Sequence, residues 1–342
     1  MSDYPLVLLT DSGALETQWP YTRERFEQRF KNRAIVEHVD VRQMVLANLD
    51  WSAIDAVALF GGELTSDILG RAKRLKVVGG VTDVVGPSCF DLLSEKKIPF
   101  VEATQAWGQS VAECGLGLIL CALRKLPHWH RRLADGDFDW QYPFAQFCDD
   151  PNFTNGELGT KTVGVVGLGQ IGSRIARWCT ALGATVLAYD PYAPNDRFDW
   201  SGATRQEIDM LVNNVEILVI AVPPTPSADN LVDAKRVMRL AKGSIVMTIT
   251  RTHAIDVDAL RERVFANELL WASDVYDVEP LPAGDPILGR DNVVHVPHIA
   301  GRTKDANIRL ADILADDFIR VFNGDAPLSI LTQDAVRIRT GR

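Results

Sequence analysis

The sequence predicts an α/β protein made of two doubly wound domains, each built on a parallel β-sheet. The chain has 342 residues, which is enough for two domains that each bury a core. Short apolar runs alternate with amphipathic stretches along most of the chain, as strands and helices do in such folds. In addition, a glycine-rich segment directly follows an apolar run within residues 162–172. This pattern is typical of a parallel sheet that binds a ligand at one edge.

The charge of the chain favours small-molecule partners. Lys and Arg total 36 and Asp and Glu total 45, giving a formal net charge of −9 that is spread along the sequence. No cluster of basic residues provides the surface that nucleic acids require. We therefore expect the chain to bind small molecules and a second copy of itself, and neither nucleic acid nor a membrane.

The cysteines and the N-terminal residues predict a reduced, cytoplasmic protein. Five cysteines are present without a CxxC spacing, which argues against both a disulfide framework and a zinc site. The first residues lack the basic start and apolar core of a signal peptide, and the longest apolar stretch, near Gly115–Leu123, is too short to span a bilayer. We expect no metal site and a cytoplasmic location.

The first predicted domain is discontinuous and covers residues 1–110 and 305–342. Its apolar runs predict a flavodoxin-like parallel sheet. A helix at Lys304–Phe322 and a segment at Leu328–Ile330 return the chain to this domain. The predicted strands are Leu6–Leu9, Ile35–Val39, Ile54–Leu59, Lys76–Val78 and Pro99–Val101, and the predicted helices are Tyr21–Phe30 and Ser66–Lys73.

The second predicted domain covers residues 111–304 and includes a connecting helix, Ser110–Leu126. Small and apolar residues cover most of the circumference of this helix, which suits burial on several sides and makes it our candidate surface for a homodimer. The predicted strands are Thr162–Val166, Thr185–Tyr189, Ile217–Val222, Ser244–Ile249, Leu270–Asp274 and Val293–His295, and the predicted helices are Ile171–Leu182, Lys235–Leu240 and Val257–Ala266.

Three glycines after the first strand of the second domain predict a Rossmann-like dinucleotide site. Gly167 permits a tight turn, Gly169 lets the backbone approach a pyrophosphate, and Gly172 lets the next helix lie close to the strand. The N-terminus of that helix offers unpaired amides and the positive end of its dipole to the phosphates. The segment therefore predicts a nicotinamide or flavin cofactor.

An acidic residue at the end of the following strand predicts which dinucleotide is bound. Asp190 lies 18 residues after Gly172, where its carboxylate can accept a hydrogen bond from a ribose 2′-hydroxyl. A 2′-phosphate would be repelled there. The sequence therefore favours NAD over NADP.

Three polar residues follow strands in the C-terminal half of the chain. Arg251 could form two parallel hydrogen bonds with a carboxylate, and Glu279 lies past another strand end. His298 follows a strand and a proline, and a histidine is suited to proton transfer near neutral pH. Because ligands meet the carboxyl ends of parallel strands, these are candidate catalytic residues.

Four segments together resemble the D-isomer-specific 2-hydroxyacid dehydrogenases, a family that includes phosphoglycerate, glycerate, lactate-type, formate and phosphite dehydrogenases. The likeness covers nearly the whole chain, and the order and spacing of the segments agree with the family. The segments are Gly167-Leu-Gly-Gln-Ile-Gly172, Ile245-Val-Met-Thr-Ile-Thr-Arg251, Ser273-Asp-Val-Tyr-Asp-Val-Glu279-Pro280 and Asn292-Val-Val-His-Val-Pro-His298-Ile-Ala-Gly301.

The resemblance implies a role for each segment. Arg251 would bind and polarise the substrate, Glu279 would pair with His298, and His298 would be the acid and base. Asp274 would accept a hydrogen bond from the nicotinamide carboxamide, and Val222 and Pro223 would pass beneath the adenosine. The implied cofactor residues are Gly167, Gly169, Gln170, Ile171, Gly172, Asp190, Val222, Pro223, Thr250, Asp274 and Gly301.

The first domain departs from the family near the expected substrate site. The family usually has a Gly-Val-Gly loop where this chain has Gly79-Gly80-Val-Thr82-Asp83, and commonly has Asn where Trp107 stands. Cys114 and Thr252 replace a common His and a common Gly. The candidate substrate residues are Gly61, Gly80, Thr82 and Trp107.

The sequence thus predicts an NAD-dependent D-2-hydroxyacid dehydrogenase that acts as a homodimer. Two alternatives stay open. One is a non-catalytic protein of the same fold that senses NAD(H), although such a sensor has no evident need for Arg251, Glu279 and His298 together. The other is a dehydrogenase of formate or phosphite, where Glu279 disfavours formate because formate enzymes commonly carry Gln at that place.

Overall fold

The computed structural model of the chain describes residues 4–81, 87–136 and 156–340. The chain forms two compact units, one made of Met1–Gly108 with Arg302–Arg342 and the other of Gln109–Gly301. Each unit contains one sheet whose strands pair in parallel, which confirms the predicted fold class. The assignment of the first unit to the substrate stays a prediction.

The first unit contains a five-stranded sheet in the order β2-β1-β3-β4-β5, which is the flavodoxin-like order. The chain order reverses between β1 and β3, so the first two βα connections lie on opposite faces. The strands are β1 (Leu6–Asp11), β2 (Ile35–Asp40), β3 (Ala56–Phe60), β4 (Val77–Gly80) and β5 (Phe100–Glu102), and the helices are α1 (Ala14–Thr17), α2 (Pro20–Phe30), α3 (Ser66–Arg71), α4 (Pro87–Glu95), α12 (Lys304–Phe322) and α13 (Gln333–Thr340).

Successive residues of β1 face two separate hydrophobic clusters, as the two-residue period of a strand requires. Leu9 belongs to the cluster that also contains Phe26 of α2 and Phe318 of α12. Leu8 belongs to the cluster on the other face. A Cβ on Gly79 would lie 2.7 Å from a methyl carbon of Leu314, so glycine allows α12 to pack directly on β4. The last long helix is therefore part of the first unit.

The segment after α12 pairs with the edge of the first sheet. Ile330 forms an antiparallel bridge with Val101. The amide of Glu102 donates to the carbonyl of Ser329 at 2.7 Å, and the amide of Leu331 donates to the carbonyl of Phe100 at 2.9 Å. The predicted return of Leu328–Ile330 to the first domain is confirmed.

The second unit contains a seven-stranded sheet in the order β12-β11-β10-β9-β6-β7-β8. Its six strands from β8 to β11 follow the Rossmann order, with the reversal between β6 and β9, and β12 adds a seventh strand at one edge. The strands are β6 (Thr162–Val166), β7 (Thr185–Tyr189), β8 (Thr204–Arg205), β9 (Ile217–Ile220), β10 (Ile245–Thr248), β11 (Leu270–Ser273) and β12 (Val293–His295), and the helices are α5 (Gly108–Arg124), α6 (Leu126–Ala134), α7 (Gly172–Ala181), α8 (Asn195–Ser201), α9 (Ile208–Asn214), α10 (Ala234–Arg239) and α11 (Val257–Phe265).

The helix α5 packs closely on the second sheet. A Cβ on Gly115 would lie 3.0 Å from Ile175 of α7 and 3.2 Å from Met247 of β10. The sequence predicted that the longest apolar stretch is too short to span a bilayer, and this prediction is wrong. The helical stretch Thr104–Arg124 has 21 residues and is apolar enough to cross one. However, 56% of its most apolar window is buried inside the protein, as in a core helix.

The predicted helix Ser110–Leu126 ends earlier than expected and a second helix begins. Lys125 adopts a left-handed conformation with φ 45°, and α6 starts at the next residue with Pro127 in its first turn. Proline lacks an amide and suits the first turn of a helix but not its interior. The chain therefore divides this region into α5 and α6.

Candidate active site

The glycine turn lies where the order of the second sheet reverses, between the ends of β6 and β9. Gly167 has φ 93°, and a Cβ there would lie 2.6 Å from Cγ1 of Val222. A Cβ on Gly172 would overlap the carbonyl oxygen of Gly167, so only glycine allows α7 to begin this close to β6. A Cβ on Gly169, in contrast, would have no atom within 4 Å. Gly169 therefore presents bare backbone to open space that a phosphate can enter.

The start of α7 provides the donors for that phosphate. Gln170 and Ile171 connect Gly169 to the helix, and the Ser173 hydroxyl donates to the carbonyl of Gly169 at 2.7 Å. The first amides of a helix have no acceptor within it, and the positive end of the helix dipole favours anions. The turn and the helix together fit the pyrophosphate of a dinucleotide.

Asp190 lies directly after β7 and is tied to the glycine turn. Its Oδ2 accepts the amide of Leu168 at 2.8 Å, and its Oδ1 accepts the amides of Tyr192 and Ala193 at 2.9 and 3.0 Å. A carboxylate can accept roughly four hydrogen bonds. Asp190 therefore keeps capacity for a ribose hydroxyl beside the turn.

The loops after β9 and β10 are joined to each other. The Thr250 hydroxyl donates to the carbonyl of Val222 at 2.6 Å, directly before Pro223. The amide of Asn230 donates to the carbonyl of His253 at 2.8 Å. Between these bonds lies Arg251, which is exposed and donates from one terminal nitrogen to the carbonyl of Thr250 at 2.7 Å. These contacts fix the backbone that carries Arg251 and leave most of its guanidinium donors available.

His298 and Glu279 form a direct pair. Nδ1 of His298 lies 2.6 Å from Oε2 of Glu279, and the amide of Tyr276 donates to Oε1 of the same carboxylate at 2.8 Å. The side chains are 37% and 33% exposed, so the pair is open to a ligand. His298 has φ 51°, a left-handed conformation that costs a non-glycine residue about 1 kcal/mol. Because Nδ1 is bonded to Glu279, Nε2 is the ring nitrogen that faces a ligand.

The environment of Glu279 keeps it ionised. Burial alone would raise its pKa, but the hydrogen bonds from His298 and the Tyr276 amide, together with the charges of His298 and Arg251, lower the pKa below its usual value of 4.5. Arg251, Glu279 and His298 follow the neighbouring strands β10, β11 and β12, and the charges of Arg251 and His298 both lower the pKa of Glu279.

Asp274 lies at the end of β11 and holds the turn that follows His298. It is 1% exposed, and its Oδ1 accepts the amides of Ile299 and Ala300 at 2.8 and 3.1 Å. Burial raises the pKa of Asp274, although these two bonds and the charge of His298 partly oppose the rise. Gly301 ends the same turn. The contact of Asp274 with a nicotinamide carboxamide stays a prediction.

The candidate substrate residues belong to the first unit. Gly61 follows β3, Gly80 ends β4, and Trp107 ends a short 3₁₀ helix after β5. Nε1 of Trp107 donates to Oδ1 of Asn307 at 3.1 Å. All three residues therefore lie on the carboxyl side of the first sheet, while Thr82 lies outside the residues that the structure describes.

His253 is a site residue that sequence reasoning missed. Among the described residues, neither ring nitrogen has a hydrogen-bond partner, and both atoms are buried. Burial lowers the pKa of His253, the Arg251 charge lowers it further, and Asp229 and the Pro223 carbonyl partly oppose them. The only sequence signal was a histidine two residues after an arginine at a strand end.

The family model described as "D-isomer specific 2-hydroxyacid dehydrogenase, NAD binding domain" matches residues 116–300, more than half of the chain. The protein belongs to the D-isomer specific 2-hydroxyacid dehydrogenase family. Its second unit is therefore a Rossmann-like, NAD-binding domain of this family, as the sequence predicted. The glycine turn, Asp190 and the Glu279–His298 pair all lie inside the matched range.

Two relatives of the chain carry different names. The chain is 30% identical over 263 residues to a D-3-phosphoglycerate dehydrogenase from Archaeoglobus fulgidus, which covers 77% of this chain and 48% of the relative. It is 28% identical over 311 residues to a glyoxylate reductase from Thermofilum pendens, and this alignment covers 87% of this chain and 86% of the relative. The chain thus spans about half the length of the phosphoglycerate dehydrogenase.

Solved structures share the fold of both units. A phosphoglycerate oxidoreductase from Rhizobium etli matches with a TM-score of 0.81 at 19% identity, covering 97% of this chain and 99% of the other. A D-isomer specific 2-hydroxyacid dehydrogenase from Lactobacillus delbrueckii ssp. bulgaricus, solved in its NAD-complexed form, matches with a TM-score of 0.75 at 20% identity, covering 96% and 100%. At these identities the likeness establishes the fold alone.

Proposed function

We propose that the protein is an NAD-dependent dehydrogenase that interconverts a D-2-hydroxy acid and the corresponding 2-oxo acid. The observation that carries this proposal is the 2.6 Å contact between Glu279 and His298. It joins a proton-transfer group to an ionised carboxylate beside the carboxyl ends of β11 and β12. Arg251 follows β10, the strand that pairs with β11, and its charge helps to lower the pKa of the same carboxylate. A proton donor and a fixed cation are the two groups that reduction of a carbonyl requires.

The residues divide the work as follows. A bound nicotinamide supplies or accepts the hydride. His298 donates a proton from Nε2 to the carbonyl oxygen during reduction and removes it from the hydroxyl during oxidation. Glu279 holds the ring by Nδ1 and so fixes the orientation of Nε2. Arg251 pairs with the substrate carboxylate and stabilises the negative charge that develops on the reacting oxygen.

The loops of the second unit contain the residues that we assign to cofactor binding. The glycine turn and the first amides of α7 would hold the pyrophosphate. Asp190 would accept the adenosine ribose hydroxyls and repel a 2′-phosphate, which favours NAD over NADP. The remaining cofactor contacts are assigned to Val222, Pro223, Thr250, Asp274 and Gly301, all of which lie at or beyond the carboxyl ends of β9 to β12.

Oxidation of NADH, followed by absorbance with a panel of 2-oxo acids, tests the proposal. His298→Gln should lower kcat by about 10²-fold to 10⁴-fold and leave NADH binding nearly intact. Met238→Ala is the matched control, because that side chain is 54% exposed on α10. Near-normal turnover in His298→Gln would remove His298 from the mechanism.

The same panel separates the other activities. Tight NADH binding without turnover of any acid would indicate a cofactor-sensing protein instead. Oxidation of phosphite or formate with NAD, and of no 2-hydroxy acid, would indicate an anion dehydrogenase. Turnover of a 2-oxo acid that depends on His298 supports the proposed dehydrogenase.

A further inference from the structure

The loop after β7 forms a turn around the carboxylate of Asp190, at residues 190–193. Oδ1 of Asp190 accepts the amides of Tyr192 and Ala193 at 2.9 and 3.0 Å, and Oδ2 accepts the amide of Leu168 at 2.8 Å. A side-chain oxygen that accepts amides two and three residues further along the chain is a common way to form a turn. These bonds satisfy amides, so the carbonyl groups of the turn still need donors.

Arg205 supplies donors to both ends of this turn. Its Nη1 donates to the carbonyl of Asp190 at 2.9 Å. Its Nη2 donates to the carbonyl of Ala193 at 3.0 Å and to Oδ1 of Asn195 at 3.3 Å. Because a guanidinium is planar and its donors are rigidly arranged, one side chain holds the first and the last residue of the turn at a fixed separation.

The backbone and the guanidinium of Arg205 are themselves fixed. Arg205 belongs to β8 and is paired with Ala188 of β7, and the amide of the next residue, Gln206, donates to the carbonyl of Ala188 at 2.8 Å. The guanidinium carbon lies 3.9 Å from the centre of the Phe198 ring, within the range of a cation–π contact. Phe198 belongs to α8 and is buried. Arg205 therefore reaches the turn from a paired strand and against a buried ring.

We propose that Arg205 is a positioning residue for cofactor selection, which holds the turn at residues 190–193 and so directs the Asp190 carboxylate towards the adenosine ribose. The proposal rests on the proposed function, in which Asp190 accepts the ribose hydroxyls. Arg205 acts through Asp190, because both of its terminal nitrogens are bonded to the loop after β7. The ligand that this arrangement favours is a dinucleotide with a free 2′-hydroxyl.

An arginine beside the ribose site has a second possible role, since arginine binds the 2′-phosphate in many NADP enzymes. The two roles differ in which cofactor depends on Arg205. A positioning residue supports NADH, whose ribose hydroxyls bind the Asp190 carboxylate. A phosphate-binding residue supports NADPH. The bonds of Arg205 to the Asp190 and Ala193 carbonyls favour the first role.

Fluorescence titration with NADH and with NADPH tests the proposal on the full chain. Arg205→Ala should raise the Kd for NADH by about 10-fold and the Kd for NADPH by less than about 2-fold, so the preference for NADH falls. Arg177→Ala is the matched control and should keep both Kd values. Its guanidinium carbon lies 4.5 Å from the centre of the Trp200 ring, also on α8, and among the described residues no hydrogen bond joins it to the turn. A selective loss of NADPH binding in Arg205→Ala would overturn the proposal.

A double-mutant cycle separates positioning from a general loss of structure. If Arg205 acts through the Asp190 carboxylate, Arg205→Ala in an Asp190→Asn background should change the ratio of the two Kd values by less than about 2-fold. An equal change of the ratio in both backgrounds would overturn the proposal.

Arg205→Lys provides a second variant in case Arg205→Ala does not fold. Lysine keeps the charge but lacks the planar pair of terminal nitrogens that joins the two carbonyls, so part of the NADH preference should be lost. Full retention of the preference would show that the charge alone is sufficient, and it would overturn the proposal. These titrations require no turnover, so the rates with 2-oxo acids test the proposed function separately.

Discussion

The carboxylate of Asp274 accepts the backbone amide of Ile299 at 2.8 Å, one residue beyond His298. The same oxygen accepts the amide of Ala300 at 3.1 Å. A buried acid at the end of β11 thus fixes the turn that follows β12. The orientation of the proposed acid–base residue therefore depends on a side chain that lies one strand away in the sheet.

Asp274→Ala should destabilise the protein, whereas Asp274→Asn should not. Alanine removes the acceptor of the Ile299 and Ala300 amides, and the buried Ala300 amide alone costs about 1 to 3 kcal/mol when it is left unpaired, while asparagine keeps an oxygen at the Oδ1 position. The folded-state pKa of Asp274 is raised. Its carboxyl group therefore stabilises the folded state below its ordinary pKa, and this stabilisation is lost as the pH rises through the raised value. At neutral pH, asparagine also removes a buried charge. Thermal unfolding of both variants near neutral pH tests this, and equal Tm values would refute it.

Two glycines of the same turn should respond differently to alanine. Gly169→Ala should keep the Tm of the parent protein, because a Cβ there has no atom within 4 Å. It should nevertheless weaken NADH binding by about 10-fold or more, since the methyl group occupies the space for phosphate. Gly172→Ala should lower the Tm, because its Cβ overlaps the carbonyl of Gly167. Calorimetry and NADH titration on both variants measure the two effects; unchanged NADH affinity in Gly169→Ala would exclude it from the phosphate site.

The buried ring of His253 should make stability depend on pH. Its folded-state pKa is lowered from 6.5 by burial and by Arg251. The neutral ring therefore stabilises the folded state above pH 6.5, and this stabilisation is lost as the pH falls through the lowered pKa value. His253→Asn does not titrate in this range. As the pH falls from about 7.5 to about 5.5, the Tm of the variant should rise relative to the Tm of the parent. A constant difference between the two Tm values would contradict the prediction.

The charge of Asp190 should determine the choice of cofactor. Asp190→Asn keeps an oxygen that can accept the amide of Leu168 but removes the negative charge. It should raise the ratio of NADPH to NADH activity by about 10-fold or more, because a 2′-phosphate no longer meets a carboxylate. Asp190→Ala should raise the same ratio and also lower the Tm, since three amides lose their acceptor. An unchanged ratio in Asp190→Asn would assign Asp190 to the turn alone.

The sequence predicted the second sheet well because glycine spacing and apolar runs are local signals. The predicted strand Thr162–Val166 matches β6 residue for residue, and the predicted helix Ile171–Leu182 extends one residue beyond α7 at each end. The strand predicted at Lys76–Val78 is β4 at Val77–Gly80, because Gly79 and Gly80 continue the pairing with the neighbouring strands. The sequence did not predict the helices α1, α4, α6, α8 and α13 or the strand β8. The homodimer and the cytoplasmic location stay predictions.

The polar contacts of the site were less accessible from the sequence. Glu279 and His298 could be paired by family resemblance, but the bond from Ile299 to Asp274 joins residues 25 positions apart and leaves no local pattern. His253 was missed for a similar reason, since its burial depends on the loop that contains Pro223. Sequence periodicity identifies which strand ends are polar, while the packing of loops decides which of those side chains meet.

The return of α12 to the first unit has a consequence for synthesis of the chain. Phe318 and Leu314 complete the hydrophobic cluster that also contains Leu9 and Phe26, so this unit lacks one of its helical layers until the residues up to Phe322 have left the ribosome. The second unit is continuous from Gln109 to Gly301 and has all its strands earlier. A nascent chain would thus be able to complete the unit in the middle of its sequence before the one that contains its first residues.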